Sequence, residues 1–227
     1  MAQSILIISE SGAGKSTAIR NLKPEETFII NVANKPLPFK GWKGMYPIWS
    51  REAQDGRMYT RSTAHEILAC MKYVSEKRPE IKTLVIDDLQ YMSAFEYFEK
   101  AEEKGYEKFT KIAKDLTTVA RAPKDMREDL QVYFMTHAEE TLDAYGVKKV
   151  KAKTIGRMID NSLTFEGLFS IVLFGKVKRN QDDSMRYVFE TVNDGTNTCK
   201  APAGMFDDPE IPNDLEFVRQ AIINYEN

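Results

Sequence analysis

Residues 4–16 read SILIISESGAGKS, an apolar run that passes directly into a glycine-rich turn ending in lysine and a hydroxyl. The run at 4–8 reads as a short buried strand, and STAIRNL, from residue 16, reads as the start of a helix. That is the setting in which a helix N-terminus faces an anion. It constrains the chain more than any other stretch, because the chemistry it suggests works only where strand, loop and helix occur in this order.

A phosphate-binding loop is written G-x-x-x-x-G-K-[ST], and here Ser9 stands at the first glycine. Ser9 closes the strand and need not touch the ligand, so a small residue can take the place. Gly14 occupies the position where a Cβ would collide with phosphates, and Gly12 relaxes the preceding turn. Backbone N–H groups wrap the phosphates, Lys15 reaches the β/γ oxygens and Ser16 ligates Mg²⁺. Ser9, Glu10, Ser11, Gly12, Ala13, Gly14, Lys15, Ser16 and Thr17 are therefore the expected nucleotide-binding set. The alternative is a glycine-rich turn before a helix with no ligand at all.

The rest of the chain agrees with such a core. At 227 residues, 42% hydrophobic and 29% charged, it is long enough to bury a full core as one domain over 1–227. The net charge of −2 requires any polyanion to be met by a local patch. Cys70 and Cys199 lack metal spacing and are too few for a disulfide framework, so two reduced thiols in a cytosol are expected. No apolar run approaches the ~20 residues of a membrane span, and the first strand leaves no room for a signal peptide. A cytoplasmic protein is the expectation.

Strand and helix patterns alternate along the chain. Strands are expected at 27–32, 82–87, 130–137, 168–174 and 185–192, and helices over 63–77 and about 93–121. Leu215, Val218, Ile222 and Tyr225 mark a closing helix over about 213–225, capped by Asn213 or Asp214. The alternation predicts a three-layer α/β fold with a mostly parallel central sheet.

LVIDDLQYM delivers Asp87 to the carboxyl end of a strand, the edge where open α/β sheets bind ligands. Asp87 is placed to hold Mg²⁺ opposite Ser16, and Asp88 to orient the attacking water of an ATPase. NKPL at 34–37 lacks the carboxylate of the guanine-reading N-K-x-D, so ATP is the expected nucleotide. If a strand lies between the two phosphate-handling strands, Thr136 and His137 at the end of 130–137 fall beside Asp87 as γ-phosphate sensors; otherwise they are polar residues at a strand end.

A basic loop over about 143–160 follows, carrying Lys148, Lys149, Lys151, Lys153 and Arg157. The K-x-K-x-K alternation suits one face of a hairpin, and few carboxylates lie within the run, which suits contact with a nucleic-acid backbone. A solvated charged loop is the plainer reading. Arg157 can instead serve as an arginine finger to a neighbouring subunit. In FKGWKGMYPIW (39–49), Trp42, Tyr46 and Trp49 either pack an irregular connection onto the sheet, which is favoured, or stack bases.

SESGAGKS, LVIDDLQYM, the FMTH strand, KTIGRMID and the late NDGTNTCKAPAGMF together resemble the RecA-like ATPases encoded by bacteriophages, which are related to the RecA/RadA recombinase core. The likeness runs over nearly the whole chain. It implies a RecA-like P-loop NTPase fold with ATP and Mg²⁺ as cofactors. It also implies ATP-dependent work on single-stranded DNA in recombination, annealing or replication. Such proteins form homo-oligomeric rings or filaments, alongside phage recombination or single-strand-binding proteins. RecA draws its catalytic glutamate from the end of the second strand. Here that strand ends near Asn31, so the role passes to Asp88. Lys200 is the candidate for the cation that such proteins place against the next subunit's nucleotide, the alternative being a surface lysine in a turn. Two other classes stay open, a P-loop small-molecule kinase and a nucleotide-gated loader with little turnover.

Overall fold

The computed structural model describes residues 1–142, 146–154 and 163–226. The apolar runs near residues 5, 29 and 85 become β1 (Gln3–Ser9), β2 (Thr27–Asn31) and β4 (Thr83–Asp87), with a short β3 (Met58–Tyr59) outside β2. β5 (Gln131–Leu142), β6 (Lys148–Ala152), β7 (Ile171–Arg179), β8 (Met185–Glu190) and β9 (Glu210–Pro212) complete a nine-stranded sheet. Its order is β3-β2-β4-β5-β1-β7-β8-β9, with β6 folded back on the far end of β5. Pairing is parallel from β3 through β7. It is antiparallel at β7–β8, β8–β9 and β5–β6. β5 therefore separates β1 from β4, the order that brings the residues after Phe134 beside the acidic strand.

Strands covered on both faces read as continuous apolar runs, and β1 shows why. Leu6 and Ile8 face one core with Ile67, Met71 and Val74 of α2 (Ala64–Lys77) and with Leu116 and Val119 of α4 (Glu107–Arg121). Ile5 and Ile7 face the other core, with Ile19, Leu22 and Tyr46, and with Leu215, Val218 and Ile222 of α5 (Leu215–Glu226). Helices thus cover both faces and the three-layer expectation holds. α2 is N-capped by Thr63, whose Oγ1 accepts from the Glu66 backbone N–H at 3.3 Å and donates to Glu66 Oε2 at 2.6 Å. Among the described residues no helix is long and apolar enough to cross a membrane.

Several boundaries differ from the sequence pattern for identifiable reasons. The helix after the first loop is a 3₁₀ turn, Ser16–Asn21; it has no room to lengthen, because Leu22 and Lys23 are extended, Lys23 directly ahead of Pro24, and β2 begins at Thr27. The helical region at 93–121 is two helices, α3 (Gln90–Glu99) and α4. Gly105 at φ 98° lies in the connection, and Lys108 Nζ donates to the carbonyls of Lys100, Ala101 and Glu103 at 3.0, 3.3 and 2.7 Å. One ammonium thus satisfies the carbonyls that a continuing helix would have used. The run at 168–174 begins as a 3₁₀ turn, Phe165–Leu168. Phe165 and Phe169 are buried there against Phe134 and each other, so β7 starts only at Ile171. β8 stops at Glu190, leaving Val192 exposed.

The aromatic stretch at 39–49 is packing. Tyr46 is fully buried, with its hydroxyl donating to the Leu22 carbonyl at 3.4 Å. Trp49 Nε1 donates to the Tyr73 hydroxyl at 3.4 Å, and its ring meets Tyr59 edge-on. Trp42 opens the short α1 (Trp42–Met45), half-buried under the Lys43 ammonium.

Candidate nucleotide site

β1 ends at Ser9 and the chain turns at once through residues 10–15. Gly12 and Gly14 take φ values of 82° and 80°, the left-handed region that side chains resist. Gly14 is required a second time by space, because a Cβ there would stand 2.9 Å from the Tyr187 ring. Ser9 is fully buried between β5 and β7, in register with His137 on one side and Gly175 on the other. It shapes the loop's root and does not line the cleft; Ala13, also buried, behaves the same way. Glu10, Ser11, Gly12, Gly14, Lys15, Ser16 and Thr17 do line it.

Across the cleft, β4 ends on two buried carboxylates. Ser16 Oγ donates to Asp87 Oδ1 at 3.0 Å, and Lys15 Nζ lies 3.4 Å from the same oxygen. Asp88, at φ 61°, holds a left-handed conformation uncommon for a residue with a side chain; such positions concentrate at functional sites. Its Oδ1 accepts from Lys15 Nζ and lies 3.4 Å from His137 Nε2, while Oδ2 accepts from Lys35 Nζ at 3.0 Å. Burial alone would raise the Asp88 carboxyl pKa. The hydrogen bond from His137 and the ammonium groups of Lys15 and Lys35 outweigh it and hold the group well below the usual carboxylate range.

The expected sensor pair divides, as alternate residues of a strand must. His137 reaches the cleft and Asp88. Thr136 turns to the opposite face, buried in a small hollow with Gln90, Ser93, Leu116 and Phe165, so it does not stand at the site. Gln90 joins the two faces, its Oε1 accepting from the His137 backbone N–H at 3.2 Å.

The basic run does form a hairpin, with β6 against the far half of β5. The expectation of few neutralising carboxylates is corrected by the partner strand. Lys148 pairs with Glu140 at 2.9 Å and Lys151 with Glu139 at 3.1 Å. Lys153, at the hairpin's base, donates its backbone N–H to the His137 carbonyl at 2.8 Å. Arg157 lies outside the described residues. Lys200 is exposed on a backbone bridge to Val172, upstream of the strand end that faces the cleft, and does not line it.

Three contributors escape a reading of local motifs. Lys35 sits in the NKPL stretch, which as a local motif bears only on guanine recognition. Tyr187 of β8 covers Gly14. Asn213 donates from Nδ2 to the Ala13 carbonyl at 3.2 Å, and its own carbonyl accepts from Arg20 at 3.1 Å. The cap of α5 is its neighbour Asp214, whose Oδ1 accepts from the Glu216 backbone N–H at 2.9 Å. The sequence leaves Asn213 and Asp214 as equals; the fold gives each its own task.

The cleft encloses about 660 Å³, within the usual range for a small-molecule site. A larger hollow of about 1060 Å³ between α2 and α4 gathers no comparable set of buried charges. The residues suit Mg²⁺ and a phosphate chain. Gly12 and Gly14 hold the left-handed backbone that turns a loop's amides around phosphates, and the Ser16 hydroxyl and Asp87 carboxylate are the hard oxygen donors that Mg²⁺ takes. A family model described as AAA domain matches residues 1–203. The chain belongs to the AAA domain family. No curated protein matches it. The matched span of the AAA domain contains the loop, β4 and His137, and stops short of Asn213.

Proposed function

We propose that this AAA domain binds ATP with Mg²⁺ in the cleft, hydrolyses it, and couples the cycle to single-stranded DNA as a homo-oligomer, as in the bacteriophage RecA-like ATPases it resembles. One observation carries the reading. Lys15, Ser16, Asp87, Asp88 and His137 arrive from three strands and converge at one carboxyl edge of the sheet. The loop amides and Lys15 would bind the phosphates, with Ser16 and Asp87 holding the metal. Bound Mg²⁺ supplies charge neutralisation at the phosphate oxygens. Asp88, kept ionised by its partners, would orient water beside His137. The tie from His137 to Lys153 gives the basic hairpin a mechanical path to the site, which supports nucleic-acid contact there.

A second reading, a nucleotide-gated module with little turnover, draws support from Asn31. That residue ends β2 with an amide already engaged by the Lys35 backbone. Phosphate release by wild type and Lys15→Ala, with and without single-stranded DNA, tests both. Release that rises with DNA, weakens steeply with salt and vanishes in the variant supports the first. Binding without release supports the second. Turnover only with a small acceptor points to a kinase and defeats both.

A further inference from the structure

Lys35 is placed with unusual care for a residue in a proline-rich connection. The buried Asn31, in register with Asp87, grips it at both backbone groups. Asn31 Oδ1 accepts from the Lys35 N–H at 3.2 Å, and Asn31 Nδ2 donates to the Lys35 carbonyl at 2.6 Å. The Lys35 side chain then crosses the cleft mouth over the Tyr91 ring, 4.5 Å from its centre, and ends 3.0 Å from Asp88 Oδ2. Asp88 thus carries an ammonium on each oxygen, and the two differ in one respect. The Lys15 side chain is 6% exposed, that of Lys35 54%.

We propose that Lys35 is a specificity-determining residue that distinguishes a nucleoside triphosphate from a diphosphate. The proposal rests on the nucleotide reading above. Lys15 of a phosphate-binding loop reaches the β/γ oxygens, and Lys15 and Lys35 share one carboxylate. The Lys35 ammonium therefore stands at the end of the cleft that the terminal phosphate would occupy. That phosphate brings several anionic oxygens into competition with Asp88. Lys35, half-exposed on a flexible four-carbon stem with its backbone clamped, turns to it without any change in the strand. A diphosphate ends too early to draw it away, and Lys35 stays on Asp88.

The test is calorimetry on the full chain with Mg²⁺ and either a non-hydrolysable ATP analogue or ADP. It compares wild type, Lys35→Met, Lys35→Gln and Lys35→Arg, with thermal unfolding confirming that each is folded. Loss of one charge-assisted contact predicts a fall of about tenfold or more in analogue affinity for the Met and Gln variants. ADP affinity should change by less than about twofold, and Arg should restore most of the discrimination. An equal fall for both nucleotides, or none for either, overturns the proposal while leaving the nucleotide reading intact. A wild type that binds neither nucleotide overturns the nucleotide reading, and this proposal with it.

Discussion

A Cβ built on Gly175 of β7 would stand 2.9 Å from the Cβ of Ser9 on β1, and the two residues are paired in register. The first-glycine position of the phosphate-binding pattern is filled by serine here, and the adjacent strand supplies the missing space. Small size at this corner is a property of the pair.

Gly175→Ala therefore destabilises the fold by about 1–3 kcal/mol through overpacking and weakens nucleotide binding by displacing the loop's root. Ser9→Gly in the same chain restores both. Urea unfolding and nucleotide titration of the two single variants and the double measure the coupling; purely additive effects would contradict it.

Lys15→Met has two consequences that can be separated. Nucleotide binding is lost. In the ligand-free chain, removing an ammonium from between two buried carboxylates lowers stability by about 3 kcal/mol. Asp88→Asn on that background recovers most of the stability and none of the binding, as read by urea unfolding and calorimetry.

Acid should reveal the same cluster. The folded-state pKa of Asp88 lies below its ordinary value of 3.8, so its contribution is fully present above that value. It is lost as pH falls toward the depressed folded-state value, where the group takes up a proton on unfolding. Unfolding free energies measured from pH 7 downward should fall more steeply below about pH 4 in wild type than in Asp88→Asn. Parallel curves would remove the proposed role of the two ammonium groups and the His137 hydrogen bond.

Burial, helped at Cys199 by the Glu190 carboxylate, pushes both cysteine thiols up to about 12. The thiolate is the reactive species. A disulfide reagent at pH 8 should label the native chain only as fast as it opens, and two thiols at once in denaturant. Prompt labelling of either thiol in the native state would contradict the packing around α2 or β7.

How much of this could be read in advance follows from where each contact lives in the chain. The loop, the acidic strand and the layered sheet were legible because their information is local. Ile5 to Ile8 are apolar without a break, since both faces of β1 are covered, and the loop's glycines sit within a few residues of its lysine. Lys35, Tyr187 and Asn213 were not legible as site residues, because each meets the loop or Asp88 only after the strand order is known. The division of Thr136 from His137 depends on which face of β5 looks into the cleft. The carboxylates that neutralise the basic run lie at Glu139 and Glu140, just ahead of it, and oppose it only once the hairpin closes. The helix break near Gly105 depends on a single lysine turned back on a preceding carbonyl cluster.

The bond from Asn213 to the Ala13 carbonyl fastens the far end of the sequence over its beginning, like a buckle set outside the matched span. Trimming the protein at residue 203 would keep the phosphate-binding loop and the acidic strand and still slacken that loop. An engineered minimal version should therefore retain residues through α5, even though nothing in its final stretch looks like nucleotide chemistry.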